Sequence, residues 1–234
     1  EFAKATHQPK YYYFAWANRL VTYYLKTSRT NIALYEVQNM LKEAQKEDDK
    51  TGLSRCYNIM SQIYTIKRFD SMAFEWRLKE IELTEKYNIE NYNISQTYAQ
   101  IANYYISQKK QKEALRAVEK AISTANSSTQ QISAKLEYVN YYSKFGDFQA
   151  AEKILKECQI AFEQDKRLES IKKRLYNIEC LYYQQTRQYQ KALEAAEMQE
   201  KEEHRLSESI LSSSHYRTQG EIYQKMGNMN MAVK

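Results

Sequence analysis

The chain has 234 residues, of which 43% are apolar, and a formal net charge of +6. It contains 4 glycines and 1 proline, and this scarcity of helix breakers favours long α-helices joined by short turns. No run of about 18 apolar residues is present, so the sequence predicts no membrane span. Residues 1–9 carry no basic patch followed by an apolar stretch, so we predict no signal peptide. Because the first residue is Glu1 rather than Met, we expect the chain to be part of a longer protein.

One spacing recurs six times along the chain. Six alanines lie 37 to 41 residues apart, and a tyrosine stands nine residues before each of them. A repeat of this length is typical of solenoid proteins, in which each unit packs on its neighbours. The alanines are Ala33, Ala73, Ala114, Ala151, Ala192 and Ala232, and the tyrosines are Tyr24, Tyr64, Tyr105, Tyr142, Tyr183 and Tyr223.

Turn residues between the tyrosine and the alanine divide each repeat into two helices, most clearly at Gly146-Asp147 and Gly227-Asn228. We predict one solenoid domain over 1–234, with repeats near 10–47, 51–87, 91–125, 128–164, 167–204 and 208–234. The first helices are predicted at 10–27, 51–66, 91–107, 128–144, 167–186 and 208–226. The second helices are predicted at 31–47, 70–87, 111–125, 147–164, 188–204 and from 229 onward. The small alanine is expected to let two helices approach closely.

These intervals resemble the tetratricopeptide repeat (TPR), whose signature is a large aromatic residue, a small residue, a tyrosine and an alanine. The third repeat carries the resemblance best, at Tyr98, Ile101, Ala102, Tyr105, Ala114, Val118 and Ala121. The resemblance implies an all-α, right-handed superhelical solenoid whose first helices line a concave, protein-binding groove. The tyrosine-, lysine- and asparagine-rich repeats of about 40 residues are also similar to the TPR segments of bacterial sensor histidine kinases and transcription regulators.

Two positions depart from the TPR pattern. Arg77 stands where an aromatic residue or a leucine is expected, so we expect the second helix of that repeat to be rotated. Glu179 occupies a position of the fifth repeat that is usually apolar. The period also exceeds the usual length of about 34 residues, which implies longer helices or longer connections.

No arrangement of residues indicates catalysis, a cofactor or a metal ion. The glycines are too dispersed to form a phosphate-binding loop. The histidines, His7, His204 and His215, have neither metal-ligand spacing nor a catalytic carboxylate pattern beside them. We therefore predict that the protein is not an enzyme, has no catalytic residues and binds neither a cofactor nor a metal ion.

Three cysteines, Cys56, Cys158 and Cys180, cannot all pair with one another and have no CxxC spacing. Cys158 and Cys180 fall in columns of small core residues, whereas Cys56 lies outside them. Free thiols favour a reducing compartment such as the cytoplasm. A periplasmic location would instead suit a sensor segment of a membrane kinase.

The resemblance to TPR proteins also selects candidate groove residues. Positions fifteen and eleven residues before the repeat alanine carry mainly amides and hydroxyls, and arginines share their face. An amide both donates and accepts hydrogen bonds, which suits the backbone of an extended peptide. The alternative is that these side chains only solvate an exposed helix face. The candidates are Asn18, Thr22, Arg55, Asn58, Gln62, Asn103, Asn140, Arg174, Asn177 and Arg217.

We predict a protein or extended-peptide partner, with an acidic ligand as an option, and no nucleic-acid partner. The densest basic cluster, within 166–174, is interleaved with Asp165 and Glu169, which is typical of a solvated helix. A docking surface for an acidic partner is the alternative for this cluster. Tyrosine pairs such as Tyr104-Tyr105 could stack on bases, but one member of each pair is the repeat tyrosine expected in the core.

Two functions fit these observations. One is a non-catalytic scaffold that binds proteins or peptides in the groove. The other is a sensory or regulatory segment of a larger bacterial signalling protein whose output domain lies outside the chain. The second helix of the last repeat has barely begun at Lys234, so we regard this repeat as truncated. We expect further residues to complete it, or self-association to cover it.

Overall fold

The computed structural model describes the backbone of residues 9–206 and 213–232, and the side chains within 11–202 and 216–232. These residues form twelve α-helices and no β-strand, arranged as six consecutive helix pairs. In chain order the pairs are α1 (Pro9–Arg19) with α2 (Thr30–Lys46), α3 (Lys50–Ile66) with α4 (Asp70–Tyr87), α5 (Ile94–Ser107) with α6 (Gln111–Ser123), α7 (Ser128–Phe145) with α8 (Phe148–Gln164), α9 (Lys172–Gln185) with α10 (Tyr189–Leu206), and α11 (Ser213–Lys225) with α12 (Met229–Ala232). The predicted all-α helix-pair solenoid is confirmed.

The helix boundaries depart from the prediction in a few places. A π-helical segment, Leu20–Leu25, continues α1, and a 3₁₀ helix, Lys166–Ile171, precedes α9. Leu20–Leu25 lies within a span predicted as a single α-helix, and Lys166–Ile171 overlaps the start of another. The predicted helical residues 208–212 and 233–234 lie outside the described residues.

The same turn joins the two helices of every repeat. The residue four positions after the repeat tyrosine has a positive φ angle, and the next backbone N–H donates to the tyrosine carbonyl, as from Arg29 to Tyr24 at 2.8 Å. Glycine occupies this position only at Gly146 and Gly227, where φ is 90° and 77°. The other repeats place larger residues in the same left-handed conformation, namely Ser28, Arg68, Lys109 and Arg187.

The repeat alanines lie in the core. Five of them are at most 1% exposed, and Ala232 is half-buried. The repeat tyrosines pack beside them as half-buried side chains, including Tyr105 and Tyr142. The predicted core cysteines Cys158 and Cys180 are also buried. The alanine column therefore performs the predicted role of permitting close helix packing.

The described residues fall into two compact units, divided between Tyr104 and Tyr105 inside α5. A core cluster of the N-terminal unit includes Leu20, Met40 and Ile63. The C-terminal unit contains a cluster around Leu136, Leu155 and Leu175 and another around Ala192, Ala196 and Ile222.

The expected rotation of α4 around Arg77 is wrong. Ala73 is 1% exposed and Arg77, one turn later, is 7% exposed, so the usual face of α4 stays in the core. The Arg77 Nε donates to Gln100 Oε1 at 2.7 Å, and its Nη2 donates to Thr65 Oγ1 at 2.6 Å. Hydrogen bonds from the buried Arg77 guanidinium to Gln100 and Thr65 thus replace apolar packing at this repeat position.

Candidate functional site

A pocket of about 630 Å³ opens in the N-terminal unit, within the size range of ligand sites. Its walls come from α1, α3, α4 and the connection from α4 to α5. One side is aromatic, since Tyr11, Phe14 and Tyr92 line the pocket and remain largely exposed. Aromatic rings left in water beside polar groups are typical of recognition surfaces.

The pocket also has polar lining residues, which come largely from α3. Arg55, Asn58 and Gln62 stand three and four residues apart, which places them on one face of the helix. Asn18 of α1 completes this polar side. The structure therefore brings four of the ten candidate residues into one cavity, and their role in binding stays a prediction.

Local sequence features fix the position of α1 against α3. Asp49 caps α3, since its carboxylate accepts a hydrogen bond from the Gly52 backbone N–H at 2.5 Å. Gly52 then packs directly beneath the buried ring of Tyr13, where an added Cβ would come within 2.8 Å of ring carbon. Only glycine allows this close approach between the two helices that frame the pocket.

Glu80 of α4 is a buried carboxylate that lines the pocket and accepts hydrogen bonds from several neighbouring side chains. Asn91 Nδ2 donates to Glu80 Oε1 at 2.9 Å, and Asn58 Nδ2 lies 3.2 Å from both carboxylate oxygens. Thr97 Oγ1 is 3.5 Å from Oε2. Burial raises the pKa of Glu80, and these hydrogen bonds oppose the rise. Glu80 thereby links α3, α5 and the connecting segment that carries Asn91.

Both polar atoms of the Asn58 side chain take part in this network. Its Nδ2 faces Glu80, and its Oδ1 accepts from Gln62 Nε2 at 2.7 Å. Asn58 therefore orients Gln62, whose carbonyl oxygen is available to a ligand. The binding role of Asn58 stays a prediction, and in the structure its side chain connects Glu80 with Gln62.

Arg55 is the cationic group of the pocket. Its guanidinium carbon lies 5.0 Å from the centre of the Phe14 ring, in cation–π contact. The Nε atom is buried and has no hydrogen-bond partner among the described residues. Burial lowers the pKa of the guanidinium, which nevertheless stays protonated at physiological pH.

The other six candidate residues lie outside this pocket. Thr22, Asn103, Asn177 and Arg217 are exposed, and Asn140 and Arg174 are half-buried. Arg174 forms an ion pair with Glu137, and Arg217 Nε pairs with Glu221 at 3.0 Å. Thr22 and Asn103 belong to the N-terminal unit and the other four to the C-terminal unit.

Sequence analysis missed several residues that shape the pocket. Asn91 and Tyr92 lie in the connection between two repeats, which has no counterpart in the repeat signature. Tyr11 and Phe14 precede the signature positions of the first repeat. The burial of Glu80 could have been predicted from the sequence, because it stands seven residues after Ala73, on the buried face of α4.

The described residues were compared with the requirements of a metal site and of a membrane span. Within the described side chains no group of three His, Cys, Asp or Glu is placed to hold a metal ion, and His7, His204 and His215 lie outside them. None of the described helices is long and apolar enough to cross a bilayer.

The three cysteines are free and buried, and burial raises the pKa of Cys56 to about 12 and of Cys158 to about 11. Cys56 is a core residue of the N-terminal unit.

No protein-family model matches the chain, and no curated protein sequence matches it. Solved structures do resemble it. PilW, a widely conserved type IV pilus biogenesis factor, is 15% identical with a TM-score of 0.59, over 93% of this chain and 87% of PilW. A kinesin light chain of Podosopora anserina with nearly identical TPR-like repeats is 14% identical with a TM-score of 0.56, over 82% of this chain and 96% of that one. NprR in complex with its cognate peptide NprX is 13% identical with a TM-score of 0.61, over 100% of this chain and 76% of NprR.

At these identities the likeness concerns the fold. Together with the six tyrosine–alanine repeats, it defines the chain as an all-α repeat protein with a TPR-like fold.

Proposed function

We propose that the chain is a non-catalytic protein-binding module and that the pocket of its N-terminal unit receives an extended peptide segment of a partner. The observation that carries this proposal is the convergence of Asn18, Arg55 and Gln62 with exposed aromatic rings in one cavity. Amides can pair with a peptide backbone, and the rings can receive a side chain. The binding of NprX by NprR, a protein of similar fold, supports a peptide as the ligand class.

The pocket suits a peptide better than a compact metabolite. It is not an enclosed cavity, and its polar lining residues are spread over α1, α3, α4 and the connection after α4. Asn18 and Gln62 can each donate and accept, which matches the alternating N–H and C=O groups of an extended main chain.

A displayed library of short random peptides, selected against the purified chain, tests this proposal. We expect enriched peptides to lose about tenfold in affinity for the double variant Asn18→Ala/Gln62→Ala, which corresponds to roughly 1.4 kcal/mol. Gln164→Ala is the control, since Gln164 is an exposed amide of the C-terminal unit that is not among the candidate residues. Absence of enriched peptides, or equal binding by the double variant, would contradict the proposal.

The second function, a sensory segment of a bacterial signalling protein, uses the same binding event. In that case the bound peptide controls an output domain elsewhere in the polypeptide. The full-length sequence decides between the two functions, because a kinase or DNA-binding domain joined to the repeats would identify a sensor and its absence a scaffold.

Self-association through the last repeat is a further prediction. Met226, Met229 and Met231 are each more than 40% exposed around the turn between α11 and α12. Exposed methionines favour adaptable apolar contacts. Light scattering measures self-association as the mass in solution. We expect a lower mass for a variant in which all three methionines are replaced by serine than for the wild type.

A further inference from the structure

Two arginines occupy the same position in different repeats. Arg55 stands 18 residues before Ala73, and Arg174 stands 18 residues before Ala192. They lie near the start of the first helices α3 and α9, and both side chains are half-buried. Each also has a buried Nε without a hydrogen-bond partner in the described parts of the chain. The two guanidinium groups therefore differ mainly in what faces them.

Arg174 faces a carboxylate of the chain itself. Its Nη2 pairs with Oε1 of Glu137, which lies on α7, the first helix of the preceding repeat. The Glu137 side chain is only 2% exposed. An ionised carboxylate in such surroundings is stable only when a cation or hydrogen bonds compensate for its lost hydration. This pair shows that a guanidinium at this repeat position can hold a desolvated carboxylate.

Arg55 also faces the first helix of the preceding repeat, but there it meets Phe14 of α1. No carboxylate in the described residues forms an ion pair with Arg55. The space beside its guanidinium belongs to the open pocket. Because Phe14 covers the face of the planar group, the N–H donors at its edge are left to a ligand.

Two acidic residues also line the pocket and bear on its charge. Glu80 directs its oxygens toward Asn58, Asn91 and Thr97. Glu90 lies on the exposed connection after α4, where solvent screens its charge. Arg55 is therefore the charged group best placed to meet a ligand.

We propose that the pocket binds peptides through a carboxylate, which pairs with Arg55 as Glu137 pairs with Arg174. This inference rests on the proposed peptide-binding function and names the chemical group by which the peptide is recognised. The carboxylate comes from an Asp or Glu side chain or from the C-terminus of the peptide, and both present two oxygens to the guanidinium fork. An apolar side chain next to the carboxylate packs against Tyr11, Phe14 and Tyr92.

The test uses the peptides selected by the wild-type chain. We expect an acidic residue or a free C-terminus at one fixed place relative to an apolar residue. Arg55→Gln is expected to weaken these peptides about ten- to a hundredfold, as for other truncated charge pairs. Replacing the acidic residue by its amide, or amidating the C-terminus, identifies which carboxylate is used. The peptide that lacks this carboxylate is expected to bind wild type and Arg55→Gln equally.

A charge reversal completes the test. Arg55→Glu is expected to reject the acidic peptide and to bind a version in which lysine replaces the acidic residue. Peptides that lose affinity for Asn18→Ala/Gln62→Ala but bind Arg55→Gln as well as wild type would overturn the carboxylate inference and leave the proposed function standing. Peptides that are insensitive to all of these substitutions would overturn both.

Discussion

Equivalent polar groups have different partners in the two compact units. In the C-terminal unit Arg174 pairs with Glu137, and buried Glu179 accepts a hydrogen bond from Gln159 at 2.6 Å. In the N-terminal unit Arg55 stands at the position of Arg174 but borders an open pocket. The arginine at this repeat position therefore stabilises the fold where the preceding repeat places a carboxylate opposite it. Where the preceding repeat places an aromatic ring opposite it, the arginine is available for recognition.

The strongest test of this comparison removes each arginine. Arg174→Met is expected to lower the free energy of unfolding by about 3 kcal/mol, because it leaves Glu137 buried without its cation. Arg55→Met, the matched variant, is expected to change it by less than about 1 kcal/mol, since no ion pair is lost. Urea unfolding measures both values. Adding Glu137→Leu to Arg174→Met is expected to restore most of the loss, and equal losses in the two single variants would break the comparison.

A second prediction concerns Glu80 and its hydrogen bonds in the pocket. Glu80→Ala removes the acceptor of Asn58 and Asn91 and is expected to lower the free energy of unfolding by about 2 kcal/mol. Amide hydrogen exchange is expected to accelerate in the connection between α4 and α5, because it loses its link to α4. Glu82→Ala, on an exposed position of the same helix, is the control and is expected to leave both measurements unchanged. Unchanged exchange in Glu80→Ala would show that Glu80 does not hold this segment.

A third prediction uses pH to compare the buried carboxyls of the two units. Burial raises the pKa of both Glu80 and Glu179. A raised pKa means that the folded chain binds a proton more tightly than the unfolded chain. The stability from these protons is complete below the unfolded pKa, near pH 4.3, and is lost as pH rises through the folded pKa.

Thermal unfolding from pH 4 to 8 measures this effect. Glu80→Gln and Glu179→Gln are each expected to reduce the loss of stability with rising pH relative to wild type. A steeper loss in either variant would contradict the assigned direction of the shift.

The smallest expected effects concern the turns inside the repeats. Gly146→Ala in the C-terminal unit is expected to destabilise the chain by about 1 kcal/mol, because φ is 90° there. Arg68→Gly at the same turn position in the N-terminal unit, where φ is 62°, is expected to stabilise it by up to about 1 kcal/mol. Thermal unfolding of both variants checks the signs, and a loss of stability in Arg68→Gly would indicate that the arginine side chain makes compensating contacts.

Much of the fold was predictable because the repeat signature reports local packing. Tyrosine and alanine nine residues apart located all six turns, even where Arg68 or Lys109 replaces the glycine typical of such a turn. The π-helical segment after Arg19 could not be predicted, because the residues of Leu20–Leu25 are compatible with an ordinary α-helix. The consequence of Arg77 was predicted wrongly, since its partners Gln100 and Thr65 come from other helices.

The candidate site was predictable only in part. The resemblance to TPR proteins, transferred by helical register, selected Asn18, Arg55, Asn58 and Gln62 as candidate residues of the first helices. It could not show that Asn58 is held by Glu80, or that Asn91 and Tyr92 line the cavity, because the connection between repeats follows no fixed spacing. The binding roles of all ten candidate residues stay predictions.

The sequence by itself determined the helix pairs, the turns and the buried alanine column, because these depend on spacings within one repeat. Only the tertiary structure decided which polar groups are neutralised inside the chain and which face open space. That outcome depends on what the preceding helix places opposite each side chain: a carboxylate opposite Arg174, and the ring of Phe14 opposite Arg55. Residues that are equivalent in the repeat thus acquire different roles, because burial and charge compensation are properties of the packed pair rather than of either helix alone.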